Sequence, residues 1–507
     1  MTSQWLIVPV AVPAMTAAML VLALRHSLTG QRIISVTATA AQLIAAISLY
    51  VLAGDGEPRA YLLGNWPAPF GIVLVLDRLA ATMLLLAGLL AFGVVIAAIG
   101  AWDRRGRHFH ALFQFQMLGI NGAFLTGDLF NLFVFFEVLL IASYGLMLHG
   151  GGARRLKAGF HYIAVNLIGS TVFLFAVGAI YATTGTLNMA DLAVKVGQVA
   201  ADNQALLAAG ALLLLTVFAI KSAMVPLHWW LPPTYGSTSP PAAALFAIMT
   251  KVGAYSIIRV YTLIFGADAG ALADIATPWI LPAGIVTLVL GTIGVLANRS
   301  LLDLVCYSVI ASMGTLLIAI GLTSTAGLAA ALYYAVQSTI TSAGLFLLAG
   351  LLLKEQDGRG PLVRLPQPVL LYAGLYFLLA IAMVGMPPLA GFIGKFLILD
   401  AGRAASHMAS VWPAILVTSL LLIIGFTRAG IRLFWNGPGV AETPAPRVAP
   451  MLPTIVVAGM ITAVAMLSLL AGPVMNDMTA TAEQVLAPQR YIAVVLRPRL
   501  ASNLSGE

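Results

Sequence analysis

The chain has 507 residues, of which 61% are hydrophobic and only 9% charged, with a mean hydropathy of +0.99 and a formal net charge of +8. A soluble domain carries about 25% charged residues, and barrel strands alternate apolar and polar every second residue, so a soluble enzyme and an outer-membrane barrel are both excluded. No Lys/Arg block marks a nucleic-acid surface, and the single cysteine, Cys306, leaves no internal disulfide, cysteine metal cluster or iron–sulfur centre.

A membrane crossing needs ~20 apolar residues. Such segments are predicted at 6–24, 33–53, 72–99, 109–126, 130–148, 160–183, 207–226, 241–265, 279–297, 302–321, 327–352, 370–389, 411–431 and 453–473. The fold class is therefore all-α and polytopic, with about fourteen transmembrane helices. The first segment starts at Trp5 with no basic region or small-residue cleavage site, and reads as a real span. The longest hydrophilic gap is about 20 residues, too short to fold alone. GFIGKFLIL continues the apolar character past Pro387-Pro388 and reads as the second half of a broken helix. Residues 474–507, of mixed charge with a short apolar run from Tyr491 to Leu496, read as a surface tail.

Loop charge sets the predicted topology. The connections after spans one, three and five carry Arg25 and Arg32; Arg104, Arg105 and Arg107 against Asp103; and Arg154, Arg155 and Lys157. Those after spans two, four, six and eight carry Asp55, Glu57 and Arg59; Asp128; Asp191, Lys195 and Asp202; and Asp268 and Asp274. Later connections agree more weakly: Lys354, Arg359 and Arg364 against Glu355 and Asp357, then Arg428, Arg432 and Arg447 against Glu442. The positive-inside rule places both termini outside the cytoplasm.

Helix seven is predicted to break at Pro226 and helix twelve near Pro387-Pro388, each with a lysine nearby (Lys221 and Lys395). Five spans separate the breaks, so they meet the membrane with opposite polarity, as an inverted repeat of helices 4–8 against 9–13 requires. The expected division is 1–108 (three helices), 109–265 (first five-helix repeat), 266–431 (second repeat) and 432–507 (last helix and tail).

The chemistry-bearing residues are the charges inside these spans. Glu137 lies near the centre of span five in LFNLFVFFEVLLIASYGL, where a carboxylate is either neutral or paired with a cation from another helix; Lys221 is the expected partner. A lysine at that depth costs about 2.5–3.5 kcal/mol to insert. Unlike arginine it can load and release a proton. Lys251 begins a face with Tyr255 and Arg259 at i, i+4 and i+8, Arg259 being close enough to the span end to act as an anchor. Lys395 has only glycine and apolar neighbours until Asp400, and His228, beside Trp229 and Trp230, reads either as a relay or as an interfacial histidine. Asp77 and Arg78 read either as an interface pair or as groups with a role in transport, Asp128 and Asp303 as helix-start carboxylates. His108, His110, His149 and His161 sit on no ligand spacing, so no dedicated metal site is assigned. With no nucleotide loop, haem ligand pair or nucleophile elbow, no cofactor is expected. The set Glu137, Lys221, His228, Lys251 and Lys395 fits proton transport driven by an ion gradient or a partner.

Four stretches carry a resemblance: DLFNLFVFFEVLLIASYGL (128–146), FAIKSAMVPLHWWLP (218–232), ALFAIMTKVGAYSIIR (244–259) and GMPPLAGFIGKFLIL (385–399). In this order they resemble the large antiporter-like membrane subunits shared by respiratory complex I, membrane-bound hydrogenases and the Mrp-type monovalent cation/proton antiporters. The family's glutamate falls on Glu137, its broken-helix lysine on Lys221, the following lysine on Lys251 and the late-helix lysine on Lys395. The resemblance implies fourteen helices with an inverted repeat, a hydrated central axis and residence in the bacterial cytoplasmic membrane. The MPPLAGFIGKF and TKVGAYSIIR stretches look most like the D-subunit family of the Mrp antiporters. That implies a multisubunit partner complex exchanging sodium or potassium for protons in the lipid bilayer. The alternatives are a proton-pumping subunit of a complex I-like NADH:quinone oxidoreductase or membrane-bound hydrogenase, and a non-conducting scaffold subunit. The chain departs from many relatives at Gln337 and Ser338, where they carry a histidine in span eleven. Gln337, Thr339 and Thr341 with water are the expected relay there, unless the second half conducts differently.

Overall fold

The computed structural model describes residues 2–352, 369–404, 407–436 and 451–504. The helices α1 (Val8–Leu22) and α2 (Leu28–Ala53) come first, followed by a hairpin of β1 (Arg59–Leu62) and β2 (Val73–Leu76). Then follow α3 (Arg78–Ala98), α4 (Phe109–Leu125), α5 (Leu129–Leu148), α6 (Ala153–Thr184), α7 (Met189–Lys195) and α8 (Ala201–Lys221). A broken stretch of α9 (Leu231–Tyr235) and α10 (Pro240–Phe246) leads into α11 (Met249–Leu263). The second half holds α12 (Thr277–Ala297), α13 (Leu301–Gly321), α14 (Thr325–Leu352), α15 (Val369–Val384), α16 (Ala390–Ala404) and α17 (Met408–Ile431). Last come α18 (Met451–Leu469), α19 (Ala471–Leu486) and α20 (Gln489–Leu504).

Among the described residues, twelve helical segments are long and apolar enough to cross a membrane. Leu370–Val384 is a shorter apolar helix. The 17-residue α4 carries His110, Gln114, Gln116 and Asn121, all buried against other helices, which lowers its apolarity without exposing it to lipid. Side-chain caps set several helix starts: Ser27 accepts from Gly30 N, Asp77 from Ala80 N and Asp128 from Asn131 N. Small residues let helices approach closely. A Cβ on Gly314 of α13 would stand 2.2 Å from the Leu288 nitrogen of α12. The long α14 is buried along nearly its whole length and packs on α10, α13, α15, α16, α18 and α19.

Four expectations need correcting. Span three does not begin as helix at residue 72: Val73–Leu76 pairs antiparallel with Arg59–Leu62, so the all-α fold carries one small β-hairpin. Arg154, Arg155 and Lys157 lie in the first turns of α6, whose helix starts earlier than the apolar run because the polar turns project beyond it. The stretch read as a surface tail forms α19 and α20 as far as Leu504, and Met478, Thr481, Ala482, Val485, Tyr491 and Val495 are buried against the bundle. Asp77 and Arg78 do not pair with each other. Asp77 takes Arg259, and Arg78 takes Asp477 of α19 at 2.6 Å. The expected break in helix twelve is present between α15 and α16. The charges at Lys354, Glu355, Asp357, Arg359, Arg364, Glu442 and Arg447 lie outside the described residues.

At the end of the bundle holding the Arg-rich loop after α3, Asp103 is buried and bridged by Arg32 at 2.5 and 3.0 Å, with His110 Nε2 at 3.5 Å. Burial pushes its carboxyl up, but His110, Arg32 and the Gly100 amide outweigh that and hold it well below the usual carboxylate range.

Candidate functional site

α8 ends at Lys221, where the chain turns away before Pro226 and the carbonyls of Phe218, Ala219 and Ile220 accept from the turn amides of Ser222, Met224 and Ala223. Trp230, from beyond the break, donates its Nε1–H to the Ile220 carbonyl at 3.0 Å. Its ring stacks on Tyr162 of α6 with centroids 5.5 Å apart. This fixes the broken end and aims Lys221 into the bundle, where it is 6% exposed. Its Nζ donates to Asn166 Oδ1 at 2.8 Å and stands 5.8 Å from the centre of the Phe136 ring. Glu137, the next residue on α5, is half-buried and accepts a short hydrogen bond from Ser170 of α6. The direct Glu137–Lys221 ion pair expected from the sequence is not formed among the described residues. Each charge rests instead on a neutral α6 side chain, because Asn166 and Ser170 reach the two groups first.

Lys251 sits in α11 and is 1% exposed. Its Nζ has no hydrogen-bond partner among the described residues. It lines a cavity of about 10 Å³ together with Tyr255, Leu79, Met83, Leu316 and Ala335. That volume is about what one water needs. A buried ammonium is costly without acceptors, so the position is built for a hydrated or transiently occupied charge.

Lys395 of α16 is 5% exposed and answers the second break. Its Nζ donates to the Val384 carbonyl, the last of α15, and to Ser419 Oγ, both at 2.8 Å. A cation at a helix C-terminus is favoured by the dipole and by the orphan carbonyls there. Gly385, at φ +83°, makes the turn, and a Cβ there would stand 2.7 Å from Lys395 Cδ. Half a turn earlier in α15, the Ala382 carbonyl accepts from Gln337 Nε2 of α14 at 2.8 Å. Gln337 also donates to Thr341 at 3.2 Å, and its buried Oε1 has no partner among the described residues. α14 thus links the two lysines: Ala335 faces the Lys251 cavity, and Gln337, two residues on, joins the helix end that holds Lys395.

His228 lies in the break with Nδ1 buried and without a hydrogen-bond partner. No hydrogen bond joins its ring to Lys221 or Lys251 among the described residues. Arg259 is not an interfacial anchor: it grips Asp77, the cap of α3, with two hydrogen bonds of 2.6 and 2.7 Å, and touches Tyr255 Oη at 3.3 Å. Asp128 caps α5 at one end of the site, and burial pushes its carboxyl up to about 6.

Sequence reasoning missed Asn166, Ser170, Trp230 as a cap, and the Asp77–Arg259 pair. A signal existed for the first two: Tyr162, Asn166 and Ser170 recur at i, i+4 and i+8, a polar stripe down one face of an otherwise apolar span. Nothing local announces that residues 77 and 259 meet.

A family model described as "NADH:quinone oxidoreductase/Mrp antiporter, TM" matches residues 126–423, which include all of these ionisable groups except Asp77. Among curated proteins, the chain is 41% identical to a probable K(+)/H(+) antiporter D subunit of Rhizobium meliloti (strain 1021), covering 98% of each chain. It is 35% identical to a Na(+)/H(+) antiporter D subunit of Bacillus subtilis (strain 168), covering 98% of this chain and 100% of the relative. Among solved structures, a chain of the Mrp complex from Dietzia sp. DQ12-45-1b superposes with a TM-score of 0.87 at 27% identity, over 97% of this chain and 99% of that one.

Proposed function

Since this chain belongs to the D-subunit family of the Mrp-type antiporters, related to the antiporter-like membrane subunits of complex I, we propose that protons cross it along Glu137, Lys221, His228, Lys251 and Lys395. It is a multi-pass protein of the bacterial inner membrane and a subunit of a secondary Na+ or K+/H+ antiporter complex, not an enzyme in its own right. The other subunits of that complex are its partners, and monovalent cations and protons are what the complex moves.

One observation carries the relay: three lysines are buried at breaks or beside a cavity, and none is locked to a carboxylate. Neutral acceptors hold Lys221 and Lys395, while Lys251 has only room for water. An ammonium held by amide, hydroxyl or carbonyl oxygens gives up its proton more readily than one in a contact ion pair. The α14 polar run at Gln337, Ser338, Thr339 and Thr341, buried between the halves, takes the place of the histidine found in many relatives. His228 joins the relay through water in the break. The fourteen-crossing reading counts α4 and α15 as spans, and pairs the breaks after α8 and α15 as corresponding positions, spans seven and twelve, of an inverted repeat of spans 4–8 and 9–13. The domain boundaries at 108, 265 and 431 follow from that repeat. Positive-inside loops, Arg104, Arg105 and Arg107 above all, support termini outside the cytoplasm.

The test is cation-dependent proton flux in vesicles containing the whole complex, with Na+ and K+ in separate arms. Lys221→Ala and Glu137→Gln are each expected to lower flux about a hundredfold, the scale of a positioned proton-transfer group. Flux at the unmutated level in both variants, with normal assembly, refutes the relay.

A further inference from the structure

The strongest unassigned feature is the α6 stripe. Asn166 Nδ2 donates to the Tyr162 carbonyl at 2.8 Å, which orients the amide so that Oδ1 faces the Lys221 ammonium. Tyr162 is itself held at both ends: its hydroxyl bonds Ser143 Oγ of α5 at 2.9 Å, and its ring stacks on Trp230. Trp230 in turn caps Ile220, the residue before Lys221. The contacts close a ring, Tyr162–Trp230–Ile220–Lys221–Asn166–Tyr162, so the ammonium position is fixed by α6 and not by the flexible lysine stem. One turn further along α6, Ser170 holds the carboxylate of Glu137.

We propose that Tyr162, Asn166 and Ser170 form a positioning stripe that holds the Lys221 ammonium and the Glu137 carboxylate on separate neutral partners one helical turn apart. The two charges then act on each other across a gap. Coulomb attraction falls as 1/r and is weakly screened in a protein interior, so a contact pair would trap the proton on the lysine and the charge on the glutamate. The gap keeps each group supported in its charged form and still able to change state. Asn166 sets the proton affinity on the lysine side and Ser170 on the carboxylate side. This rests on the relay proposed above and adds to it three residues that neither accept nor give up the transported proton.

The experiment measures antiport against pH in vesicles of the whole complex, with assembly checked by native electrophoresis. Asn166→Leu removes the acceptor on the ammonium and is expected to move the midpoint of the profile about one unit toward acid, a tenfold change in proton affinity. Asn166→Asp keeps the shape, adds a negative charge and is expected to move it toward alkali. Ser170→Ala is expected to shift the acid limb upward by about a unit, and Ser170→Thr, which keeps the hydroxyl, to restore it. Equal activity loss at every pH, or unshifted profiles in assembled variants, overturns the proposal. Should Asn166→Leu fail to assemble, Asn166→Asp decides: an alkaline shift supports the stripe and no shift overturns it. Lys221→Ala runs alongside. If it is inactive while the Asn166 and Ser170 profiles do not move, the relay stands and only the stripe falls; if it and Glu137→Gln are both fully active, the relay falls.

Discussion

Replacing Asp77 by asparagine tests how much of the bundle hangs on one buried charge pair. Asparagine caps a helix as well as aspartate does, so α3 keeps its N-terminal hydrogen bond from Ala80, while the charge and one of the two acceptors of Arg259 are lost. The pair is bidentate, at 2.6 and 2.7 Å, and both side chains are almost fully buried, 3% exposed for Asp77 and 6% for Arg259. Charge centres about 4 Å apart at an effective dielectric near 20 attract by about 4 kcal/mol. Orphaning one member of a buried pair costs about 3–5 kcal/mol, because the remaining charge stays desolvated. Asp77→Asn and Arg259→Met are each expected to lose about that much. The double variant buries no lone charge and is expected to recover at least about 2 kcal/mol of the sum. The assay is the thermal midpoint of the detergent-solubilised complex for the three variants and the parent, read as a double-mutant cycle. Additive losses, or single-variant losses no larger than those of a surface substitution, refute the pair as a structural bond.

Trp230→Phe keeps the stack on Tyr162 but removes the indole donor from the Ile220 carbonyl, leaving it the Ala223 amide. It is expected to cost about 0.5–1.5 kcal/mol locally and to speed hydrogen exchange at residues 218–224, while amides in α13 stay unchanged. Gly385→Ala forces a side chain into φ +83° and against Lys395. It is expected to reduce antiport, whereas Gly459→Ala in α18, with nothing within 4 Å of the added carbon, leaves it unchanged. For Asp128, burial raises the carboxyl from 3.8 to about 6. The folded protein therefore binds more protons than the unfolded chain between those values, and stability falls as pH rises through that window. Asp128→Asn keeps the cap and is expected to flatten the slope. Thermal midpoints measured across pH 4 to 6 (about the window of the shift) that fall as steeply as in the parent would contradict the buried-carboxyl reading.

The membrane architecture was legible because apolar runs of span length are unambiguous, and both helix breaks were visible as proline clusters beside lysines. The buried lysines were legible too, since a charge in such a run costs too much to persist without a use. What escaped was pairing over distance. Asp77 and Arg78 are neighbours in sequence, yet one turns inward to α11 and the other outward to α19, and chain order holds nothing that separates them. Glu137 and Lys221 were expected to touch because opposite charges in lipid attract. Two ordinary polar residues on α6 intervene, and a short-range hydrogen bond won over a longer-range attraction. The helices after Leu470 were hidden by their mixed composition: α19 buries one narrow face and leaves the rest partly or fully exposed, which reads as a polar tail until its partners are known.

Those late helices set an order of assembly. Asp477 grips Tyr50 and Arg78, residues that stand 427 and 399 positions earlier, and Gln484 holds the Arg78 amide and the Gly56 carbonyl. At about 5–20 residues per second, the ribosome finishes this clasp some 20–80 s after it has made the segment to be clasped. Throughout that interval the Arg78 amide, one arm of its guanidinium and the Gly56 carbonyl lack the partners that α19 supplies, while the other arm is held by the Gly54 carbonyl. A nascent chain halted before α19 lacks these contacts and is left open at that seam.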